Sequence, residues 1–342
     1  MIAMADVVSQ VMKLIASLSE DPLAAVRQRL ATPSPTTAPV SVGTSVGRSR
    51  KTPKVKPACP HCRSVAVKGH ARYRGRRRYK CLACSRTFND LTSTPLSGVH
   101  SPEKMTSFGN LMARGGGSLR QSAKAFGIDL KTAFSWRHRI MEGYAPEASR
   151  KLKGIAEADE TFFLLSEKGD KGVSHKRKAR KRGGTASKAG ISDEQVPVIF
   201  GCDRDGELFV GVAGRGRISL KDIESVLGSR IADGAVLCTD GHGSYKAFAK
   251  AHGIKFQPIN ISKGERVVKK IYHIQHVNSA HARAKAWMAR FNGVATKNLA
   301  KYVGWFALME EIKRYEDCER KFTERSVMQR RHLPEKPQSP PT

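Results

Sequence analysis

Two cysteine pairs constrain the first third of the chain more than any other feature. Cys59-Pro-His-Cys62 and Cys81-Leu-Ala-Cys84 are separated by 18 residues. Two ligands three apart grip one face of a metal ion, and two such turns complete a tetrahedron of thiolates at about 2.3 Å each. The spacing predicts a zinc ribbon over residues 58–92, with Cys59, Cys62, Cys81 and Cys84 holding a structural Zn²⁺. The alternative is four unligated core cysteines. A segment this short cannot bury enough surface to fold alone, so the metal would supply its stability. Between the knuckles, Arg72-Tyr-Arg-Gly-Arg-Arg-Arg-Tyr-Lys80 reads as a basic β-hairpin. It offers Arg74, Arg76, Arg77 and Arg78 to phosphates, and Phe88 would cap the small core. The chain has seven cysteines. An odd count without a secretion signal argues against a disulfide framework.

The charge says what such a module is for. Lys and Arg number 61 against 30 Asp and Glu, a formal net charge of +31. A charge of that size attracts polyanions, with nucleic acid first and anionic membrane second. No apolar run reaches the roughly 18 residues of a transmembrane helix, so no membrane partner is expected. The first twenty residues carry Asp6, Glu20 and one lysine, unlike a secretory signal. A cytoplasmic, nucleoid-associated protein is expected, with no small-molecule substrate.

Residues 1–31 have apolar spacing for a short helical segment. Residues 32–57 are rich in Pro, Ser, Thr, Val and Gly and read as a flexible linker. Within 100–145, Ser118 to Gly127 reads as one helix ending at glycine, and Leu130 to Met141 as a second with Asp129 as N-cap. Two short helices joined by a glycine turn form a helix-turn-helix pattern. Ala133, Phe134, Trp136 and Ile140 form its apolar side, with Trp136 in the core. Lys131, Thr132, Ser135, Arg137 and Arg139 are left for DNA. An ordinary helical hairpin with a solvated basic face is the competing reading.

From residue 150 to 317 the character changes. Short β-rich runs stand at 153–163, 196–203, 206–213, 235–240 and 254–260, with a hairpin signal at Asp205-Gly206. Helical stretches lie at about 242–252, 277–291 and 296–315. A basic insert, 166–195, interrupts the order. Its Lys176, Arg177, Lys178, Arg180, Lys181 and Arg182 are expected to meet phosphates. Residues 318–342 read as a mostly disordered tail.

The expected order is three strands, helix, strand, helix, strand, helix. Asp159 falls on the first strand, Asp240 at the end of the fourth, and His281 on a late helix. This is the layout of an α/β, RNase H-like domain in which strands one and four are neighbours. Two carboxylates at neighbouring strand ends make a site for Mg²⁺ or Mn²⁺.

The chain resembles bacterial insertion-sequence transposases of the zinc-ribbon-bearing DDE kind. The resemblance rests on the two cysteine knuckles, Glu157-Ala-Asp159-Glu160-Thr161 and the insert ending Arg182-Gly183-Gly184. It rests also on Thr239-Asp240-Gly241, Val277-Asn278-Ser-Ala-His281, Trp287 to Lys297, and Tyr302-Val-Gly-Trp305. It implies an RNase H-like catalytic domain in which Asp159 and Asp240 bind the metal. His281 stands where the broader superfamily has Glu, as in one branch of these transposases. Asn278, one turn earlier, and Lys285, one turn later, are further candidates. Met288 holds the position of the superfamily's usual basic residue. The implied activity is binding of the element's terminal inverted repeats, with metal-dependent cleavage and strand transfer by a multimer on double-stranded DNA. Two other readings remain. One is a non-enzymatic DNA-binding regulator or catalytically dead transposase, and the other is an RNA-binding zinc-ribbon protein.

Overall fold

The computed structural model describes residues 57–144, 150–169, 185–260 and 263–329. The helical segment 1–31, all but the last residue of the 32–57 linker, the basic run 176–182 and residues 330–342 lie outside them.

The first sheet is a three-stranded antiparallel one: β1 (Val67–Tyr73), β2 (Arg76–Cys81) and β3 (Thr87–Phe88). Arg74 and Gly75 join β1 to β2 with φ of 50° and 74°. Two positive φ values in a two-residue loop match the right-handed twist of the strands, and glycine at the second position meets that need without strain. Tyr79 pairs with Phe88 across β2 and β3, and their rings stack at 5.5 Å. Cys59, Val67, Cys81 and Phe88 form the small core of this sheet.

Three helices follow: α1 (Pro102–Ala113), α2 (Leu119–Phe126) and α3 (Leu130–Gly143). Ser118 and Gln121 close a reciprocal capping box at the start of α2, and Gly127 ends it in the left-handed region at φ 57°. Asp129 stands at the N-cap of α3, but its side chain makes no cap bond. Its carbonyl instead accepts the Ala133 N–H at 2.9 Å. Phe108 of α1 meets Trp136 of α3 edge-on at 5.9 Å, and Ile140 is fully buried beside them.

The second sheet has five strands. They are β4 (Ile155–Leu164), β5 (Gln195–Asp203), β6 (Leu208–Val212), β7 (Val236–Thr239) and β8 (Lys255–Pro258), in the order β6-β5-β4-β7-β8. β4, β5 and β6 run antiparallel, while β7 and β8 lie parallel to β4 on its other side. Helices α4 (Leu220–Leu227) and α5 (Gly243–Ala251) cover one face, where Ala156 and Ala158 meet Ile223, Leu227, Tyr245 and Phe248. The opposite face carries Val198, Phe200 and Cys202. It packs against α6 (Gln275–Ala289) and α7 (Thr296–Ile312) through Val277, Ala280, Ala284 and Phe306. Alternation along β4 therefore turns 157 and 159 toward α6, and 158 and 160 toward α5.

The helices of residues 102–143 share one apolar cluster with α6 and α7. Trp305 of α7 is the hinge of this packing. It stands edge-on to Trp287 at 4.8 Å and carries the Arg137 guanidinium 5.6 Å from its ring centre. Residues expected to be disordered also join it. The short helix α8 (Cys318–Phe322) and a π-turn over Thr323–Val327 bury Phe322, Ser326 and Val327 completely. The reason is local complementarity. Gly143 leaves room for the Ser326 carbonyl, and Ser326 Oγ donates to the Ile140 carbonyl at 2.7 Å.

Candidate functional site

Strand β4 and the end of β7 bring together residues 81 positions apart. Glu157 is level with Cys238 in the parallel ladder, so two steps further along Asp159 comes level with Asp240. β7 ends at Thr239, and its last residue holds the turn: Thr239 Oγ1 accepts the Gly241 N–H at 3.1 Å. Gly241 has φ +89°, a conformation that favours glycine. Asp240 is exposed, and its Oδ1 accepts the His242 N–H at 3.0 Å.

Asp159 faces α6. His281 Nδ1 lies 3.8 Å from its Oδ2. His281 is 8% exposed, its ring stands edge-on to Phe200 at 4.7 Å, and its Nε2 is buried without a hydrogen-bond partner. Burial drives the imidazole pKa down to about 4, with Lys285 adding to the effect, so the ring is neutral at pH 7. The contact with Asp159 is therefore not an ion pair at that pH. Lys285 is exposed one turn later, and its charge counts among those acting on Asp159. Asn278 is exposed one turn before His281.

Sequence reading assigned no role to Glu160. It points to the other face of β4, where the buried Tyr245 hydroxyl donates to its Oε2 at 3.2 Å. Burial and the nearby Asp240 raise its pKa. Burial, then Glu160, then Asp240 push Asp159 up to about 7. Three carboxylates this close repel, and the missing counter-charge is what a divalent cation would provide.

The cysteines converge as their spacing predicts. Cys59 Sγ lies 3.7 Å from Cys84 Sγ and Cys62 Sγ 3.5 Å from Cys81 Sγ, and all four sulfurs are within 4.8 Å of one another. A tetrahedron of bonds of about 2.3 Å has edges of about 3.8 Å. The His61 N–H points at Cys59 Sγ from 3.4 Å, as a donor that stabilises a thiolate would.

Comparison with known proteins gives the chain's similarities. Residues 151–311 match the ISXO2-like transposase domain. Over that stretch the chain is similar to this domain. The chain is 28% identical over 265 residues to an uncharacterized protein in transposable element ISH50 of Halobacterium salinarum, spanning 75% of this chain and 86% of that one. Among solved structures it overlaps loosely with a chain of a simian T-cell lymphotropic virus intasome bound to the PP2A regulatory subunit B56 gamma. That overlap has 12% identity, 58% of this chain, 67% of the other and a TM-score of 0.28. A chain of a pre-cleavage Mos1 transpososome overlaps at 8% identity, 68% and 79% coverage, with a TM-score of 0.20.

The basic residues of the chain separate into available and engaged groups. Arg74 and Arg77 are exposed on the hairpin. Arg76 is held by Asp90 at 2.6 Å and Glu103 at 3.3 Å, and Arg78 donates to Thr87 Oγ1 at 2.7 Å. On α3, Lys131 and Ser135 are exposed and Thr132 is half-buried. Arg139 is half-buried and donates to the Ser97 carbonyl at 2.6 Å. Arg137, expected to be free for DNA, is only 2% exposed and donates to the Gly117 carbonyl at 2.6 Å. Its face of α3 packs on Trp305, which nothing in the local sequence of α3 reveals. A groove of about 1070 Å³ runs between α3 and the α6–α7 connection. Lys131, Phe134, Lys168, Arg290, Lys297 and Lys301 line it, and Phe134 is 45% exposed there. This concavity lies apart from the carboxylates.

Proposed function

We propose that this DNA transposase binds the terminal inverted repeats of an insertion sequence, cleaves at its ends and joins them to target DNA. The single observation that carries the reading is the meeting of Asp159 and Asp240 at adjacent parallel strand ends, with a neutral His281 3.8 Å from Asp159. In this reading the five-stranded domain is RNase H-like. The strand order β6-β5-β4-β7-β8, with antiparallel and parallel halves meeting at β4, supports it.

Asp159 and Asp240 would hold Mg²⁺ or Mn²⁺. The fit rests on the carboxylate cluster, whose mutual repulsion and burial keep Asp159 near neutrality in the absence of a cation. When bound, the cation supplies Lewis-acid polarisation of the scissile phosphate. The protein's own groups do the rest. His281, neutral and beside Asp159, orients the attacking water or the scissile phosphate. Imidazole suits softer metals than Mg²⁺, which favours this role over ligation. Lys285 brings positive charge to the phosphate, and Asn278 offers an amide on the same flank of α6.

The zinc-ribbon reading is supported by the four-sulfur cluster, with Zn²⁺ structural rather than catalytic. Helices α2 and α3, capped at Ser118 and turned at Gly127, support a helix-turn-helix. DNA ends would then run past Arg74, Arg77, Lys131 and Ser135 and along the basic groove beside α3. Assembly of several copies on the DNA is part of the same proposal.

Strand cleavage tests it. Wild type and Asp240→Asn are incubated with labelled duplex carrying the element's end, in Mg²⁺ and in Mn²⁺. Cleavage by the wild type, lost in the variant while end binding persists, is the expected result. Specific binding without cleavage in either metal overturns the catalytic reading in favour of a regulator or an inactive transposase.

A further inference from the structure

Two residues before Asp159, on the same face of β4, stands a carboxylate that needs an explanation. Glu157 is 1% exposed. Its Oε2 accepts the backbone N–H groups of His276 at 2.8 Å and Val277 at 3.0 Å. Its Oε1 meets His276 Nδ1 at 2.8 Å, His273 Nδ1 at 3.3 Å and the Arg204 guanidinium.

His276 and Val277 are the second and third residues of α6. Their N–H groups are the donors that a Ser or Asp at the N-cap satisfies in an ordinary helix. The N-cap of α6 is Ile274, which has no side chain for the task. Glu157 therefore caps the helix from a neighbouring strand, at the end where the helix dipole favours a negative charge.

We propose that Glu157 is a positioning residue of the transposase, setting where His281 stands against Asp159. This rests on the function proposed above. Glu157 and Asp159 are two residues apart on a strand, about 6.6 Å. Val277 and His281 are four apart on a helix, about 6 Å. The cap and the His281–Asp159 contact are thus two rungs of one ladder between β4 and α6. Fixing the first rung in angle and depth fixes the second. Arg204 holds the cap itself, reaching Glu157 with one nitrogen and the Ile271 carbonyl at 3.1 Å with the other.

Glu157, His273 and His276 offer ligand atoms within 4.8 Å of one another, as a metal site would. The cation already among them is Arg204, whose charge is permanent. Both Glu157 oxygens are also taken. The cluster is a clamp on α6 rather than a second metal centre.

The test uses the full-length protein with Glu157→Gln, which keeps the shape and removes the charge. Glu157→Asp, which shortens the reach by one methylene, serves if the first variant folds poorly. Single-turnover cleavage of labelled end duplex is measured with protein in excess, so the rate constant is independent of the active fraction. End affinity is read by anisotropy, and amide exchange is followed over residues 274–282. The expected result is a cleavage rate at least tenfold lower, end affinity within twofold of wild type, and faster exchange at the start of α6. A rate constant equal to wild type overturns the inference, even if the variant melts earlier, because that outcome is what a purely structural role produces. A wild type that cleaves nothing in either metal overturns both readings. An unchanged ratio between variant and wild type overturns this one alone.

Discussion

Asp159 and His281 meet at 3.8 Å across the boundary between a strand and a helix, one group holding a proton too readily and the other too weakly. Burial drives both shifts, raising the carboxyl and lowering the imidazole, because it disfavours whichever form is charged.

The Asp159 shift makes stability depend on pH. Its folded pKa is about 7, above the unfolded value of 3.8. The folded state therefore keeps a proton that the unfolded state releases. The stabilisation is full below about pH 4 and is lost as pH rises through about 7. At most this amounts to something on the order of 4 kcal/mol. Without divalent metal, wild type should lose more thermal stability between pH 5 and pH 8 than Asp159→Asn does. Parallel melting curves for the two proteins across that range would contradict the assignment.

On the zinc-ribbon reading proposed above, Cys81→Ser should remove the structural metal. Bound zinc, measured by elemental analysis of purified protein, is expected to fall from about one per chain to nearly none. Amide exchange over residues 58–92 should accelerate, since the sheet's core is two of the cysteines with Val67 and Phe88. Full zinc retention in the variant would remove Cys81 from the ligand set.

Arg137→Ala and Lys131→Ala should separate folding from binding. Arg137 is buried on Trp305 and donates to Gly117, so its loss should cost about 2–4 kcal/mol by chemical denaturation. Lys131 is exposed, so its loss should leave stability within about 0.5 kcal/mol. The same change should flatten the log–log salt dependence of end binding by about one. Equal effects of the two variants on stability would show that Arg137 is not part of the packing.

Gly143→Ala tests the docking of residues 318–327. A Cβ at that position would lie 2.0 Å from the Ser326 carbonyl oxygen. Backbone cannot yield as a side-chain tip does, so about 3 kcal/mol or more of destabilisation is expected. A melting temperature unchanged from wild type would mean that the segment does not dock there.

Much of this architecture is legible in short stretches of chain. The knuckle spacing places four sulfurs on one point, Arg74-Gly75 and Asp205-Gly206 mark hairpin turns, and Gly127 ends a helix. Each depends on residues within a few positions of one another. The Asp159–Asp240 meeting is legible one level up, from the order of strands and helices, because a parallel neighbour of β4 must present its end at the same edge. Residues 318–327 misled because a short, charged segment looks solvated until its few apolar groups find a prepared site. Arg137 misleads for the complementary reason, since a basic residue among the polar positions of a helix reads as free for DNA while its burial depends on Trp305, 168 positions later.

By itself the sequence determined which residues alternate along β4, the order of the strands and helices from β4 to α7, and which groups can bind metal. These follow from local sterics, from period-two and period-3.6 geometry, and from side-chain chemistry. Only the tertiary structure decided which helix covers which face of β4. With that choice Glu157 becomes the cap of α6, Asp159 the neighbour of His281, and Glu160 the acceptor for Tyr245. The physical reason is that hydrogen bonding and desolvation depend on what lies opposite a side chain, and here the opposite residue is 85 to 122 positions away.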